Sequence, residues 1–213
     1  MSGTVYLVAT GQDGLLPRVA ERAYRSLGKS RARVAVTYAP VAGNPAGLAF
    51  MRDRMGGLFP DAILETIDDD PTALERADLI FVSGGDPTLG AIVLDKAGTA
   101  TALRDAQARG TPMMGVSAGA ILLGQWWVKW PEEGDHDEDL QRTSLVPCIG
   151  VIAAHVFDTH NEEDDWDELR VAARLVERRG ERAVFLGIPT GGALILEGDG
   201  SGEVVGAGSY THL

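Results

Sequence analysis

Short apolar segments alternate with amphipathic helical patterns along the first half of the chain. The apolar segments predict strands at 5–9, 33–39, 62–67, 79–83 and 112–116. Helical patterns lie between them at 15–27, 45–58, 72–77, 88–96 and 100–108. This alternation favours parallel pairing, because parallel neighbours need a long crossover rather than a tight turn. We therefore predict an α/β fold with a mostly parallel central sheet and helices on both faces.

The pattern becomes less regular after residue 117. A helix is predicted at 118–124, and the following segment, 125–145, is polar and irregular with three tryptophans. The remaining predicted elements are a strand at 149–157, an amphipathic helix at 166–179 and closing strands at 183–188, 193–197 and 203–207. No internal repeat or linker divides the chain, so we expect a single domain over residues 1–213.

Composition narrows the choice of partners and compartment. A formal net charge of −12 argues against nucleic acid and anionic membrane as partners, since both favour a basic surface. The amino-terminal segment lacks the features of a signal peptide, and no uncharged apolar run reaches the ~18 residues of a membrane span. The single cysteine, Cys148, forms no internal disulfide and is interpreted as a small buried hydrophobe. A cytoplasmic location is the expectation.

The segment from Gly115 to Gly119, Gly-Val-Ser-Ala-Gly, matches the G-x-S-x-G nucleophile elbow. A serine on a sharp turn between a strand and a helix needs neighbours without Cβ atoms, because the backbone folds tightly beside it. The helix behind the serine directs its first N–H groups toward a developing oxyanion. The pattern therefore makes Ser117 a candidate nucleophile. The alternative is an ordinary turn rich in glycine and alanine.

A nucleophilic serine requires a base, and histidine is the usual one. We favour His155 among the four histidines, because it ends the apolar part of a predicted strand. Sites in open α/β sheets gather beyond the carboxyl ends of strands. His160 lies in the following loop, His136 in an acidic stretch and His212 near the carboxyl terminus. A hydrogen-bonded core histidine is the alternative role for His155.

Two glycines and an aspartate, Gly84-Gly85-Asp86, directly follow the predicted strand at 79–83. Glycines at the end of a buried strand let the backbone approach a ligand closely, which suits an oxyanion donor or a substrate clamp. An ordinary turn, with Asp86 as the N-cap of a helix that starts at Pro87, is the alternative.

These three pieces together resemble the serine peptidase family that contains dipeptidase E (aspartyl dipeptidase) and cyanophycinase. The counterparts here are FVSGGD at 81–86, GVSAGA at 115–120 and IAAHVF at 152–157. The similarity extends from the first strand to FLGIPTGGALIL at 185–196. The resemblance implies a class I glutamine amidotransferase-like fold, which is a flavodoxin-like three-layer sandwich. Serine in place of cysteine at the elbow implies peptide hydrolysis rather than ammonia transfer from glutamine.

The resemblance also implies a role for each matched residue. Ser117 is the nucleophile, His155 is the general base, and the backbone N–H groups of Gly85 and Ala118 form the oxyanion hole. The separation of 38 positions from Ser117 to His155 (155 − 117) is similar to that in dipeptidase E. The expected substrates are dipeptides or short peptides, and the chemistry requires no metal ion or organic cofactor.

The chain departs from the family pattern at two positions, with Asp86 where asparagine is usual and Thr190 where a glutamate is usual. In dipeptidase E the acid that orients the histidine lies between the nucleophile and the histidine. That region offers four acids here, which are Glu132, Glu133, Asp135 and Asp137. Counting from both ends favours Glu132 or Glu133, and Glu133 is taken as the third catalytic residue. A dyad without a fixed acid is the alternative.

Seven acidic residues crowd the segment 158–168. They form either a solvated loop that suits a helix N-terminus or a negative rim that selects substrates. In dipeptidase E an arginine after the histidine receives the aspartate side chain, and Arg170 and Arg174 are the candidates here, one helical turn apart. With Asp86 they form the predicted substrate-binding set. The dense acids nearby argue against assigning aspartyl specificity.

Three further sequence features bear on ligand binding. Trp126, Trp127 and Trp130 line a substrate pocket or pack a flap onto the domain. The spacing His155-x-x-Asp158-x-His160 has metal-type ligands without a further strong partner, so no metal is assigned. Residues 84–90 lack the Lys-Ser/Thr of a phosphate-binding loop, which disfavours nucleotide binding.

The sequence thus predicts a serine exopeptidase that acts on dipeptides or short peptides through an acyl-enzyme. The alternative is a non-catalytic binding protein that retains the fold and the elbow, and the substitutions at Asp86 and Thr190 are its support. A monomer or a homodimer is expected.

Overall fold

The computed structural model describes residues 2–12, 14–131, 141–198, 201–206 and 211–212. The first half of the chain supplies five strands, which are β1 (Val5–Val8), β2 (Arg33–Thr37), β3 (Ile63–Thr66), β4 (Leu79–Val82) and β5 (Met113–Val116). Its helices are α1 (Leu15–Ser26), α2 (Pro45–Leu58), α3 (Ala73–Arg76), α4 (Pro87–Lys96) and α5 (Thr99–Ala108), with a 3-10 turn at Ala39–Val41.

The second half begins with the short helix α6 (Ala118–Leu123) and the hairpin of β6 (Trp126–Lys129) and β7 (Ser144–Pro147). The remaining elements are β8 (His155–Thr159), α7 (Asp167–Arg178), β9 (Val184–Ile188), β10 (Gly192–Leu196), β11 (Gly202–Gly206) and β12 (Thr211–His212).

The central sheet has seven strands in the order β11-β10-β1-β5-β4-β2-β3. The five strands from the first half pair in parallel, while β10 and β11 close one edge with antiparallel pairing. The prediction of a mostly parallel sheet is therefore confirmed. A second sheet pairs β8 in parallel with β9, and β12 lies antiparallel on the other side of β9.

Helices cover both faces of the central sheet, as the alternation along its strands requires. Tyr6 and Val8 belong to one buried cluster with residues of α1 and α2, whereas Val5 and Leu7 belong to another with residues of α4, α5 and α6. A third buried cluster joins the β6–β7 hairpin, the second sheet and α7, and it includes Trp126 and Leu169. Cys148 is buried, as the composition predicts.

Two segments differ from the sequence prediction. The segment 125–145, predicted to be irregular, contains β6 and the first residues of β7. The strand predicted at 149–157 begins later, because residues 151–154 form turns and are exposed or half-buried. Ala154 has a φ of 57°, which is incompatible with a strand. The buried strand is His155–Thr159, so the predicted strand at 149–157 both begins and ends too early.

Candidate active site

Ser117 occupies the turn between β5 and α6. Its φ of 52° and ψ of −124° lie outside the regions that residues other than glycine normally adopt, so the backbone is strained at this residue. Hydrogen bonds hold it there, because the Ser117 N–H donates to the Val8 carbonyl at 2.9 Å and the Ser117 carbonyl accepts from the Ala120 N–H at 2.8 Å. The geometry is that of a nucleophile elbow.

The two glycines of the elbow are required by close backbone contacts. A Cβ atom at Gly115 would overlap the carbonyl oxygen of Gly119, and a Cβ atom at Gly119 would overlap the carbonyl oxygen of Val82. The turn between β5 and α6 therefore packs directly against itself and against β4. This contact explains the glycine spacing on each side of the serine.

The partner of Ser117 is His160. The Ser117 Oγ lies 2.9 Å from the His160 Nε2, which is hydrogen-bond distance. His160 directly follows the carboxyl end of β8, and its N–H donates to the Ile188 carbonyl at 2.9 Å. When the imidazole carries its proton on Nδ1, Nε2 accepts the serine hydroxyl, as a general base requires.

His155 does not lie at this site. It is the first residue of β8, while the site is at the other end of the strand. Its Nδ1 lies 2.8 Å from the Ala153 carbonyl oxygen, and its ring stacks on Phe157 with centroids 5.9 Å apart. The prediction of His155 as the partner is corrected, because His155 begins the observed strand, which ends at Thr159, two residues later than the predicted one.

Gly85 and Ala118 flank the serine hydroxyl with uncommitted backbone donors. Gly85 is exposed beyond the end of β4, and its φ of 142° together with the Pro40 carbonyl oxygen leaves no room for a Cβ atom. Ala118 is the first residue of α6. Neither N–H donates to an acceptor in the described part of the chain.

Two cavities meet at Ser117 and His160. The larger, of about 810 Å³, has an apolar wall and an acidic rim, and includes Phe50, Met51, Arg54, Glu162, Glu163 and Thr190. The smaller, of about 420 Å³, lies on the side of α4 and α7 and includes Asp86, Trp127, Trp130, Asp158 and Glu168. Gly85 lines both. The pair Ser117–His160 is thus placed between two potential substrate-binding regions.

Glu162 lies two residues after His160 and contacts Thr190, the position where the family pattern has a glutamate. Its Oε1 accepts the Thr190 N–H at 3.0 Å, and its Oε2 is buried without a hydrogen-bond partner in the described residues. Burial raises the pKa of Glu162, but its hydrogen bonds with Thr190 and the proximity of His160 outweigh this effect. The pKa is therefore below its ordinary value, and the group is a carboxylate at neutral pH.

Asp158 lies two residues before His160 and is almost completely buried. Its carboxylate accepts the Thr159 N–H at 2.7 Å and the Asn161 Nδ2 at 3.1 Å. Burial is the main reason that the pKa of Asp158 rises to about 7, and Glu168 and Asp167 add to the increase. Sequence patterns predicted neither the burial of Asp158 nor the position of His160 beside Ser117.

The other predicted site residues have different positions. Asp86 is the N-cap of α4, where its carboxylate accepts the Leu89 N–H at 2.9 Å, and it also lines the smaller cavity. Arg170 forms an ion pair of 3.0 Å with Asp165, and Arg174 is exposed. Neither arginine lines a cavity described here. Glu133 lies outside the described residues, as do Glu132, Asp135, Asp137 and His136.

Among the described residues no group of three or more His, Cys, Asp or Glu side chains is arranged to hold a metal ion. Within the same ranges, no helix combines the length and the apolar character needed to cross a bilayer. Trp126 and Trp127 are buried, and Trp127 and Trp130 contribute to the wall of the smaller cavity.

Known structures share this fold. A peptidase from an acI-B1 Actinobacterium is 18% identical with a TM-score of 0.76, over 100% of this chain and 91% of that one. A putative peptidase E protein from Listeria monocytogenes EGD-e is 14% identical with a TM-score of 0.65, over 98% of this chain and 100% of that one. No curated protein matches the sequence. The model of peptidase family S51 matches residues 24–204, so the chain belongs to this family of serine peptidases.

Proposed function

We propose that this protein hydrolyses dipeptides or short peptides through an acyl-enzyme, with Ser117 as the nucleophile and His160 as the general base. The observation that carries the proposal is the 2.9 Å contact between Ser117 Oγ and His160 Nε2 at a strained elbow. Strain of this kind persists only where the surrounding structure enforces it, and it clusters at functional sites.

The chemistry follows from this pair. His160 Nε2 accepts the hydroxyl proton as Ser117 Oγ bonds to the scissile carbonyl carbon, and the carbonyl oxygen becomes an oxyanion. The tetrahedral intermediate then collapses, the C–N bond breaks, and the imidazolium returns the proton to the leaving amine. Water repeats the sequence on the ester, which releases the acid and restores Ser117. Every proton is carried by His160, so no further cofactor is needed.

The Gly85 and Ala118 N–H groups would stabilise the oxyanion. Both residues adjoin Ser117 in the smaller cavity, and both donors lack an acceptor in the described residues. A preorganised donor is worth about 3–4 kcal/mol of transition-state stabilisation in related chemistry. Gly85 has a positive φ, and because it has no side chain, nothing of its own blocks access to its N–H.

Glu162 is the acid that we propose as the positioning residue for His160. It lines the larger cavity with Ser117 and His160, and its ionised form is stabilised in part by His160. Its hydrogen bond to the Thr190 backbone supports the proposal, because the family pattern carries a glutamate at this position. In this proposal Glu162 takes the role that the sequence interpretation gave to Glu133.

The two cavities support a short substrate. Volumes of about 810 Å³ and 420 Å³ lie in the range of pockets that enclose small ligands. Of the substitutions that supported a non-catalytic alternative, Asp86 has a structural role as the N-cap of α4. At position 190 a carboxylate is still present nearby, because Glu162 binds the backbone N–H of Thr190. The buried, unpaired Cys148 is compatible with a reducing cytoplasm, where we propose that the enzyme acts.

Labelling with a fluorophosphonate probe, followed by peptide mass analysis, tests the proposal. We expect the wild-type protein to be modified at Ser117 and the Ser117→Ala variant to remain unmodified. A library of dipeptides and tripeptides should then yield products with the wild type only. A wild-type protein that neither reacts with the probe nor cleaves any library member would contradict the proposed function.

A further inference from the structure

The smaller cavity beside Ser117 is acidic. Three carboxylates line it, from Asp86, Asp158 and Glu168, together with the side chains of Trp127 and Trp130. No lysine or arginine is present among the described residues that form its wall. We call this space the acidic cavity. Ser117 and His160 also line the acidic cavity, so it adjoins the catalytic pair.

Two of its carboxylates are removed from solvent to different degrees, since Asp158 is buried and Glu168 is half-buried. Asp158 is 1% exposed, and its hydrogen bonds come from a backbone N–H and the amide of Asn161. Glu168 accepts the Trp130 indole N–H at 3.1 Å. Burial raises the pKa of both carboxyls, and the proximity of each to other acids adds to the increase. Buried carboxylates are normally paired with a cation. The proximity of His160 partly offsets the increase for Glu168, but no lysine or arginine of the described residues lines the cavity beside either group.

An unused polar group provides an independent indication of a ligand. Thr159 is 3% exposed and lines the acidic cavity, yet its hydroxyl has no hydrogen-bond partner in the described part of the structure. Buried hydroxyls are nearly always hydrogen-bonded. A donor that entered the cavity would satisfy this oxygen.

We infer that the acidic cavity binds a cationic group of the substrate, a guanidinium or an ammonium, on one side of the scissile bond. This inference rests on the proposed function, in which Ser117 attacks the peptide. The carboxylates of Glu168 and Asp158 attract the cation, and the Thr159 hydroxyl accepts one of its protons. Indole rings are the aromatic partners that cations favour, and two of them line the cavity. An anionic side chain would meet only like charges there.

Such a cation has two possible sources, a basic side chain and the free amino terminus of the peptide. Calorimetry with the Ser117→Ala protein measures binding without turnover and separates them. The ligands are tripeptides of alanine that carry arginine, or its neutral isostere citrulline, at one position, each with a free or an acetylated amino terminus. We expect one of these charges to tighten binding by about tenfold or more. Equal affinity for all charged and neutral members would overturn the inference.

A matched pair of variants locates the cation. Glu168→Gln in the Ser117→Ala background removes one charge from the acidic cavity, whereas Glu163→Gln removes one from the rim of the larger cavity. We expect the first to reduce the charge preference several-fold and the second to leave it unchanged. The reverse pattern would place the cation in the larger cavity and overturn the inference. Thermal unfolding of each variant verifies that it is folded.

The pH dependence of binding gives a test that needs no further substitution. Asp158 is surrounded by the Thr159 N–H, the Asn161 amide, Asp167 and Glu168, and Asp86 and His160 line the same cavity. Because its carboxyl loses a proton near neutral pH, the preference for the arginine tripeptide over its citrulline counterpart, both acetylated at the amino terminus, should increase between pH 6 and pH 8. A preference that decreases over this range would contradict the inference. Hydrolysis of the neutral peptides by the wild type tests the proposed function separately, since binding by Ser117→Ala does not depend on catalysis.

Discussion

His160 stands 43 positions after Ser117, and its Nε2 lies 2.9 Å from the serine Oγ. Two separate parts of the fold create this contact. The elbow after β5 holds Ser117 in a strained conformation, and the carboxyl end of β8 in the second sheet holds His160. The two histidines of the segment 155–160 lie at opposite ends of β8, so they have different environments.

Replacement of each histidine should separate their roles. We expect His160→Ala to lower kcat/KM for a peptide substrate by about four orders of magnitude or more, because the serine loses its base. His155→Ala should remain within a few-fold of the wild type, since that ring contacts a backbone carbonyl and Phe157. Steady-state kinetics measures both. A large loss with His155→Ala and none with His160→Ala would show that the contact in the structure is not the catalytic one.

The elbow could be predicted from the sequence because its determinants are local. Gly115, Ser117 and Gly119 lie within five residues between a strand and a helix, and each requirement concerns the turn itself. Most strands and helices of the parallel sheet were likewise predictable. The inner strands are continuous buried apolar runs, and helices such as α1 carry their apolar residues at helical spacing. These features depend on neighbours in the chain.

The partners of the serine depend on tertiary packing and could not be predicted in the same way. Residues 151–154 are as apolar as a strand but form turns, while Asp158 is polar and lies inside a buried strand. The rule that sites lie at the carboxyl ends of strands was applied to a predicted strand that is displaced from β8, so it pointed to His155, which begins β8, rather than to His160, which follows it. The contact from Glu162 to Thr190 spans 28 positions, and no local pattern specifies it.

Alanine substitution at Gly119 tests the close packing of the elbow. The added Cβ atom would overlap the Val82 carbonyl oxygen, so we expect the free energy of unfolding to fall by about 1–3 kcal/mol. Gly56→Ala in α2 is the matched control, because nothing lies near its added Cβ. The control should be neutral or stabilising by about 0.5–1 kcal/mol. Urea unfolding measures both, and equal effects would refute close packing as the reason for Gly119.

Glu162→Gln tests the positioning role of the carboxylate. The variant keeps an oxygen for the Thr190 N–H but loses the negative charge near His160, so we expect kcat to fall by about a hundredfold with little change in KM. Glu177→Gln, at an exposed acid of α7 that lines neither cavity, should leave both constants near the wild-type values. Equal kcat values for the two variants would exclude Glu162 from the catalytic arrangement.

Asp158 should make the stability of the protein depend on pH in the opposite sense to an ordinary ion-paired acid. Its pKa rises from 3.8 to about 7 on folding, mainly through burial, so between these values the folded state binds more protons than the unfolded state. The free energy of unfolding therefore decreases as the pH rises from about 4 to about 7. Above that range the carboxyl is ionised in both states, and the full free-energy cost of burying its charge lowers the stability.

Asp158→Asn removes this cost while keeping an oxygen for the Thr159 N–H. We expect the variant to be more stable than the wild type at pH 8, by about 2 kcal/mol, and to show little difference at pH 5. Asp164→Asn, at an exposed acid of the same loop, should change stability by a few tenths of a kcal/mol or less at either pH. Denaturant unfolding at the two pH values measures these differences. A variant that is less stable than the wild type at pH 8 would show that the ionised Asp158 stabilises the fold, because its hydrogen bonds from Thr159 and Asn161 then outweigh the desolvation of the charge.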